Sequence, residues 1–376
     1  MAGSAVPDAR KGGIMPTPTT SSTSSHMASA AEEPGSAPQD VHGHDLPAGP
    51  ILVTGVCGFI GSHVAVELLR RGAAVIGVDT RPLNRPGRPG DVLSLLQTQP
   101  QFRMVRADVR APEVAEAVQG TDAVIHLAAA TDVGASWGEG FTDHAFSVLA
   151  TQRLLDACIR HDVQRVVVAS SAHVYGPATS GEEPVRESDP TEPTSPYGVA
   201  KLAAERLALA YARRPGSQLS TVALRFFPAF GPGCNPQMVI PRFFTAALTG
   251  EAVPLFGDGT ARHTWTYISD LVEAAVRAVA APLPPGGAEV VNAAGCDAAS
   301  LRQVAEMVGQ IVGRPVPLRP AGERPGDAVA VLADVTRAGR VLGFVPSITL
   351  PDGLERHWNT TIPNSVRNTT KAEVTA

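Results

Sequence analysis

Short apolar runs alternate with helical stretches over roughly residues 50–225. The runs are rich in Val and Ile and cover residues 50–54, 73–79, 102–106, 123–127, 165–170 and 219–225. Continuous apolar strands separated by helices are typical of a parallel sheet covered by helices on both faces. The sequence therefore predicts a doubly wound α/β fold.

Composition divides the rest of the chain. Residues 1–47 are rich in Ser, Thr, Pro, Gly and Ala without apolar periodicity, which predicts a disordered extension. A disordered tail is expected at 361–376. Residues 48–225 are expected to form this α/β domain. Pro, Gly and Phe become frequent after that point, so residues 226–360 are assigned to a smaller substrate-binding lobe, from which 269–281 returns to the first domain as a helix.

Charge and composition exclude several classes of protein. The 376 residues carry a net charge of −5 without long basic runs, which argues against nucleic acid as a partner. No stretch of about 18 apolar residues is present, so no membrane span is expected. The four cysteines form no CxxC pair and the histidines show no zinc spacing. We therefore expect free thiols, no metal and a cytoplasmic location.

A glycine-rich segment follows the first apolar run and opens the first helical stretch. It reads Gly55-Val56-Cys57-Gly58-Phe59-Ile60-Gly61. Glycine permits a tight turn and lets backbone N–H groups approach a pyrophosphate, whose charge the helix N-terminus favours. In this setting the segment predicts a dinucleotide site of the Rossmann type.

Two acids follow the next strands. Asp79 ends the second strand, where a carboxylate can accept hydrogen bonds from ribose hydroxyls and repel a 2′-phosphate, which favours NAD. Arg81 lies close enough to leave NADP open. Asp108, followed by Val109, comes after the third strand. Its carboxylate is placed to accept the adenine amino group or, as an alternative, to cap a helix.

Tyr197 and Lys201 are four residues apart. On a helix this spacing puts both side chains on one face. An ammonium beside a phenol favours the phenolate and so lowers the phenol's pKa. The pair therefore predicts a tyrosine general base that works near neutral pH.

Further motifs follow in an order typical of the extended short-chain dehydrogenase/reductase family. They are His126-Leu127-Ala128-Ala129, Ser170-Ser171-Ala172-His173-Val174-Tyr175-Gly176, Pro193-Thr194-Ser195-Pro196-Tyr197, Gly257-Asp258-Gly259-Thr260 and Arg324-Pro325-Gly326-Asp327. With GxxGxxG and YxxxK, residues 50–358 resemble the nucleotide-sugar epimerases and dehydratases of that family. The resemblance implies NAD as cofactor, with Ala128 at its site, and a nucleoside-diphosphate sugar as substrate.

The resemblance also implies the roles of individual residues. Ser171 hydrogen-bonds the sugar oxygen that is oxidised, and Tyr197 removes the proton of that hydroxyl. Lys201 holds the nicotinamide ribose and depresses the tyrosine pKa. In the C-terminal lobe, Arg324 falls on the family's phosphate-binding arginine and Asp327 on its ribose-binding aspartate.

Some positions depart from the family pattern. The asparagine of R-x-F-N becomes Pro228, and the second phosphate-binding arginine becomes His263, with the adjacent Arg262 as its alternative. Related 4,6-dehydratases carry an Asp-Glu pair where this chain has Ala172 and His173. Alanine transfers no proton, and His173 is either an acid–base group or a packing residue.

These features predict an NAD-dependent epimerase acting at C4 of a nucleoside-diphosphate sugar through a 4-keto intermediate. The alternatives divert the same intermediate into dehydration, decarboxylation or reduction by NAD(P)H. A different class, a dinucleotide-binding protein without catalysis, is disfavoured because Ser171, Tyr197 and Lys201 are all present. The resemblance also implies a homodimer formed through helices at about 143–161 and 197–213.

Overall fold

The computed structural model describes residues 45–83, 92–177, 183–322 and 331–367. In chain order its strands are β1 (Ile51–Thr54), β2 (Val75–Asp79), β3 (Phe102–Arg106), β4 (Ala123–His126), β5 (Arg165–Ser171), β6 (Ser220–Phe226), β7 (Ala229–Phe230), β8 (Val253–Leu255), β9 (Arg262–Tyr267), β10 (Ala288–Ala293), β11 (Asp297–Ser300) and β12 (Leu318–Pro320). Its helices are α1 (Phe59–Arg70), α2 (Val92–Gln97), α3 (Pro112–Val118), α4 (Phe141–Arg160), α5 (Pro196–Ala212), α6 (Val239–Thr249), α7 (Ile268–Ala280), α8 (Leu301–Val312), α9 (Thr336–Leu342) and α10 (Leu350–Thr361).

The main sheet has seven strands in the order β10-β6-β5-β4-β1-β2-β3. All of its strand pairs are parallel. The strand order reverses at β1, because Ile51 pairs with Val75 of β2 on one side and with Ala123 of β4 on the other. Ligands of open α/β sheets bind beyond the carboxyl ends of the strands at such a switch point. The predicted doubly wound fold is confirmed.

Burial on both faces explains the apolar runs. Ile51 and Val53 are fully buried in the apolar cluster that includes α1 and α7. Leu52 between them is fully buried in a second cluster, with residues of α3, α4 and α5. Successive side chains of a strand point to opposite faces, so a strand with two covered faces is apolar at most positions.

The later part of the chain contributes to more than one sheet. β10 pairs in parallel with β6 and so completes the main sheet, while α7 packs on α1 and on the strands. Two smaller sheets, β11-β9-β7 and β12-β8, lie outside it. Helix α8 begins with a capping box between Ser300 and Gln303 and ends at Gly313, whose φ of 79° a glycine adopts without strain.

The chain ends lie mostly outside the described residues. Predictions for residues 1–44 and 368–376 therefore stay predictions, while residues 364–367 form a further helical turn after α10. Among the described residues, no helix has both the length and the apolar character that crossing a membrane requires.

Candidate active site

The glycine turn between β1 and α1 leaves no room for a side chain at Gly55 or Gly61. Gly55 has φ of 73°, and its carbonyl oxygen accepts the Gly58 N–H at 2.8 Å. A Cβ at Gly61 would lie 2.2 Å from that same oxygen, and a Cβ at Gly55 would lie 2.9 Å from Ala128 N. Phe59 and Ile60 open the helix, so its first N–H groups are directed into the turn. This backbone cradle fits the pyrophosphate of a dinucleotide.

Asp79 closes the adenosine side of this cradle at the end of β2. Its Oδ2 accepts the backbone N–H of Cys57 at 3.0 Å, and both carboxylate oxygens accept from Arg81. Burial pushes the pKa of Asp79 upward, but the hydrogen bonds from Arg81 and Cys57 outweigh it, so its pKa lies below the usual value. Asp79 is therefore ionised and fixed against the glycine turn.

Asp108 and Val109 lie at the end of the neighbouring strand β3. The Asp108 carboxylate accepts the backbone N–H and the guanidinium of Arg110, both at 2.8 Å. The N-cap of α3 is Ala111, so Asp108 does not cap that helix. Val109 packs against the apolar cluster beneath the strands. The carboxylate is half-exposed at the sheet edge, and its predicted contact with the adenine amino group stays a prediction.

The segment after β4 forms the opposite wall of the cradle. Ala128 donates its N–H to Thr54 Oγ1 at 3.1 Å, and Ala130 donates to Ser147 Oγ at 3.0 Å. Ser147 belongs to α4, so these bonds tie the loop to both a strand and a helix. Together they shape a recess that also includes Tyr197.

The structure brings Ser171, Tyr197 and Lys201 together at the carboxyl end of β5. Ser171 is the last residue of that strand, and α5 begins one residue before Tyr197. Lys201, one helical turn later, donates its Nζ to the Ala169 carbonyl at 3.1 Å and lies 6.0 Å from the centre of the Tyr197 ring. Ser171 Oγ accepts the backbone N–H of His173 at 3.2 Å.

The protonation of this trio differs from the sequence prediction. Burial raises the pKa of Tyr197, and the hydrogen bond with Ser171 offsets only part of the rise. Burial also lowers the pKa of Lys201 to about 8. The predicted lowering of the Tyr197 pKa is thus wrong for the protein alone. The reason is that desolvation of the phenol outweighs the effect of the Ser171 hydroxyl beside it.

The predicted substrate-binding residues are only partly brought together. His173 stands edge-on to Tyr197 at 5.4 Å between ring centroids, and burial together with the charge of His263 lowers its pKa to about 4. Arg262 donates its Nη2 to the Ala298 carbonyl at 3.1 Å. Adjacent strand residues point to opposite faces, so Arg262 and His263 lie on opposite faces of β9, and the substrate contacts predicted for them stay predictions.

Arg324 and Asp327 lie outside the described residues. Their predicted contacts with the substrate therefore stay predictions. Among the described residues, no group of three or more His, Cys, Asp or Glu side chains could hold a metal ion.

Two buried histidines without an assigned role also border the recess. His126 has Nδ1 2.7 Å from Thr54 Oγ1 and Nε2 3.0 Å from Thr151 Oγ1. His144 of α4 lies edge-on to Tyr197 at 5.8 Å between ring centroids. The motif after β4 contained His126, whereas no motif or spacing pointed to His144.

A buried ion pair lies beneath the trio. Arg225 donates to both carboxylate oxygens of Glu205, at 3.0 and 2.7 Å, and Ser170 donates to the same carboxylate at 2.7 Å. The side chains of Arg225 and Glu205 are 1% and 0% exposed. Glu205 follows Lys201 by four residues, so repetition of the Tyr197–Lys201 spacing was the signal that could have identified it. The pair fixes α5 against β5 and β6 directly below the reacting groups.

Acid should destabilise the fold through His126. Burial, followed by the charge of Lys201, lowers its pKa to about 3. The unfolded chain takes up this proton near pH 6.5 and the folded chain does not, so stability present above pH 6.5 is lost as the pH falls toward 3. Each unit below 6.5 costs about 1.4 kcal/mol.

Urea unfolding of His126→Gln at pH 7.5 and 5.5 measures this effect. We expect the variant to lose about 1.4 kcal/mol less between the two pH values than the native chain. His161→Gln, at the partly exposed end of α4, is the control and should keep the native difference. Equal losses for the His126 variant and the native chain would contradict the assignment.

Comparison with known proteins identifies the family. Residues 51–294 match the model of the NAD dependent epimerase/dehydratase family. The chain belongs to this family. It is therefore an enzyme of the nucleotide-sugar epimerase/dehydratase type, and NAD is its cofactor.

Some relatives within the epimerase/dehydratase family are named as epimerases and others as dehydratases. The chain is 35% identical over 308 residues to uncharacterized UDP-glucose epimerase YtcB of Bacillus subtilis (strain 168), covering 81% of this chain and 95% of that protein. It is 34% identical over 312 residues to dTDP-glucose 4,6-dehydratase of Streptomyces niveus, covering 81% and 90%. MoeE5 in complex with UDP-glucose and NAD is a structural neighbour with 38% identity, a TM-score of 0.74, and coverage of 86% of this chain and 100% of that one.

Proposed function

We propose that the chain is an NAD-dependent epimerase acting at C4 of a nucleoside-diphosphate sugar. The observation that carries the proposal is the pair of residues after Ser171. Ala172 is buried and has no group that transfers protons. His173 has a pKa of about 4 and is therefore neutral at pH 7. A dehydratase needs an acid and a base at these positions to expel water, whereas an epimerase does not.

The trio supplies the proton chemistry of such a reaction. Tyr197, as phenolate, accepts the proton of the C4 hydroxyl, and Ser171 donates a hydrogen bond to the same sugar oxygen. NAD, when bound, would supply the hydride acceptor and donor. The Lys201 ammonium, held by the Ala169 carbonyl, stabilises the negative charge on the phenol oxygen. The protonated Tyr197 would then return the proton to the C4 oxygen when the 4-keto group is reduced.

The test is the product formed from a panel of UDP-, dTDP- and GDP-linked sugars with catalytic NAD. Proton NMR follows the reaction. We expect interconversion of C4 epimers without accumulation of NADH. Accumulation of a 4-keto-6-deoxy sugar, which the 34% identical dehydratase makes a real alternative, would reject epimerisation. Loss of carbon dioxide or stoichiometric consumption of NAD(P)H would reject it as well.

We also propose that two copies of the chain associate through α4 and α5. These helices pack side by side. Phe146 and Leu149 of α4 and Val199 of α5 are 44%, 39% and 48% exposed. Exposed apolar side chains favour a surface that another protein covers. The same two helices, at about 143–161 and 197–213, are those that the sequence predicts for the interface.

Light scattering at micromolar concentration measures the mass. We expect about 78 kDa, twice the 39.0 kDa of one chain. Leu149→Glu places a charge in the interface and should give the single-chain mass. Val345→Glu, at a residue that is 76% exposed and distant from α4 in the chain, should leave the dimer intact. A single-chain mass for the native protein would refute the dimer.

A further inference from the structure

The Asp79 carboxylate has no acceptor position to spare. Oδ1 accepts the backbone N–H and Nε of Arg81, each at 3.0 Å. Oδ2 accepts Nη2 of Arg81 and the N–H of Cys57, each at 3.0 Å. A carboxylate offers about four lone-pair positions, and these four hydrogen bonds use them. A ribose hydroxyl can donate to Asp79 only if it displaces the guanidinium.

Arg81 lies where the adenosine ribose would approach. Asp79 is 6% exposed, whereas the side chain of Arg81 is 42% exposed and covers it from the solvent side. Its Nη2 lies 3.6 Å from the position of a Cβ on Gly58, within the cradle. The guanidinium therefore borders both the pyrophosphate position and the carboxylate that would receive the ribose diol.

A second guanidinium lies at the same edge. Arg106 pairs in register with Asp79, is exposed, and donates its Nε to the Thr80 carbonyl at 3.3 Å. Further along the rim, Asp108 is held by Arg110. The described charges at the ends of β2 and β3 are thus three arginines against two aspartates, a balance that favours an anion.

We propose that Arg81 makes the adenosine end of the cofactor site accept a 2′-phosphate, so that the chain binds NADP(H) as well as NAD. When the cofactor has a 2′-hydroxyl, as NAD does, Arg81 competes with the ribose for Asp79 and so weakens the binding of NAD. With a 2′-phosphate present, the guanidinium leaves Asp79 and pairs with the phosphate, with Arg106 beside it. Arginine suits this role because its planar fork binds phosphate through two parallel hydrogen bonds. Asp79 opposes the phosphate by charge repulsion.

Binding of adenosine fragments tests the proposal without turnover. The native full-length chain is titrated by calorimetry with AMP and with adenosine 2′,5′-bisphosphate at constant ionic strength, and with NADH and NADPH by their fluorescence. A charge-assisted bidentate contact contributes roughly tenfold or more to affinity. We expect Arg81→Gln to lower the affinity for the bisphosphate and for NADPH at least tenfold. The variant should bind AMP and NADH as tightly as the native chain or severalfold more tightly.

Two further variants make the result specific. Arg103→Gln removes an exposed charge from the same strand as Arg106, three residues before the strand end. This variant should leave the ratio of the affinities for AMP and for the bisphosphate unchanged. Asp79→Asn removes the charge repulsion and should raise the affinity for the bisphosphate severalfold. The proposal is overturned if Arg81→Gln weakens both fragments equally, or if the native chain binds the bisphosphate no better than the Arg81 variant does. These readouts do not depend on which sugar reaction the enzyme performs.

Discussion

Tyr197→Phe should lower kcat more than a hundredfold while the protein still binds NAD. The phenylalanine keeps the ring between His144 and His173 and removes only the hydroxyl that exchanges the proton. General acid–base catalysis contributes roughly 10²–10⁴ in rate, so loss of the group is expected to reach this range. Steady-state rates and cofactor titration on the same preparation measure the two effects separately.

The control for this variant is Tyr211→Phe on the same helix. Its hydroxyl donates to Asp156 rather than to a group of the trio, so turnover should stay within about twofold of the native rate. If Tyr197→Phe retained native turnover, the general-base assignment would fail. If it lost NAD binding and turnover together, the residue would act through the structure of the site instead.

Gly61→Ala should weaken NAD binding at least tenfold. The new Cβ would lie 2.2 Å from the Gly55 carbonyl oxygen, a backbone atom that moves only if the whole turn moves. Overpacking of this kind costs about 1–3 kcal/mol, and displacement of the cradle misaligns the N–H groups that meet the pyrophosphate. We expect at least a tenfold loss of NAD affinity and a lower Tm.

Gly339→Ala in α9 is the matched control. A Cβ there meets only the Phe344 carbonyl oxygen at 3.7 Å, an ordinary contact, and alanine has the higher helix propensity. Its NAD affinity should equal the native value and its Tm should be equal or higher. Native NAD affinity in Gly61→Ala would show that the turn does not hold the cofactor.

Local signals made the dinucleotide half of the fold predictable. The continuous apolar run at 165–170 corresponds to β5 (Arg165–Ser171), because a strand buried on both faces reveals itself in its own residues. The same holds for the requirement for glycine at position 61, because the atom that a Cβ there would meet belongs to Gly55, within the same seven residues of chain. Tyr197 and Lys201 were likewise found through helix geometry alone.

Contacts between distant segments were not predictable in this way. The pairing of β10 with β6 and the Arg225–Glu205 ion pair join residues whose neighbours are set by the completed sheet. The pKa of Tyr197 depends on burial that only the assembled helix and strand create. Sequence spacing indicated that Lys201 is near the phenol, but it did not indicate that both groups are desolvated.

The proposed reaction removes a hydride from C4 and returns it to C4, while Tyr197 exchanges the hydroxyl proton. Proton NMR of the reaction run in D2O with a nucleoside-diphosphate hexose and catalytic NAD tests it most directly. Epimerisation predicts a C4 epimer with hydrogen retained at every sugar carbon, because only hydroxyl protons exchange and the hydride returns to its own carbon. Deuterium at C5 of a 4-keto-6-deoxy product would show instead that a C–H proton is removed beside the ketone, and would contradict epimerisation.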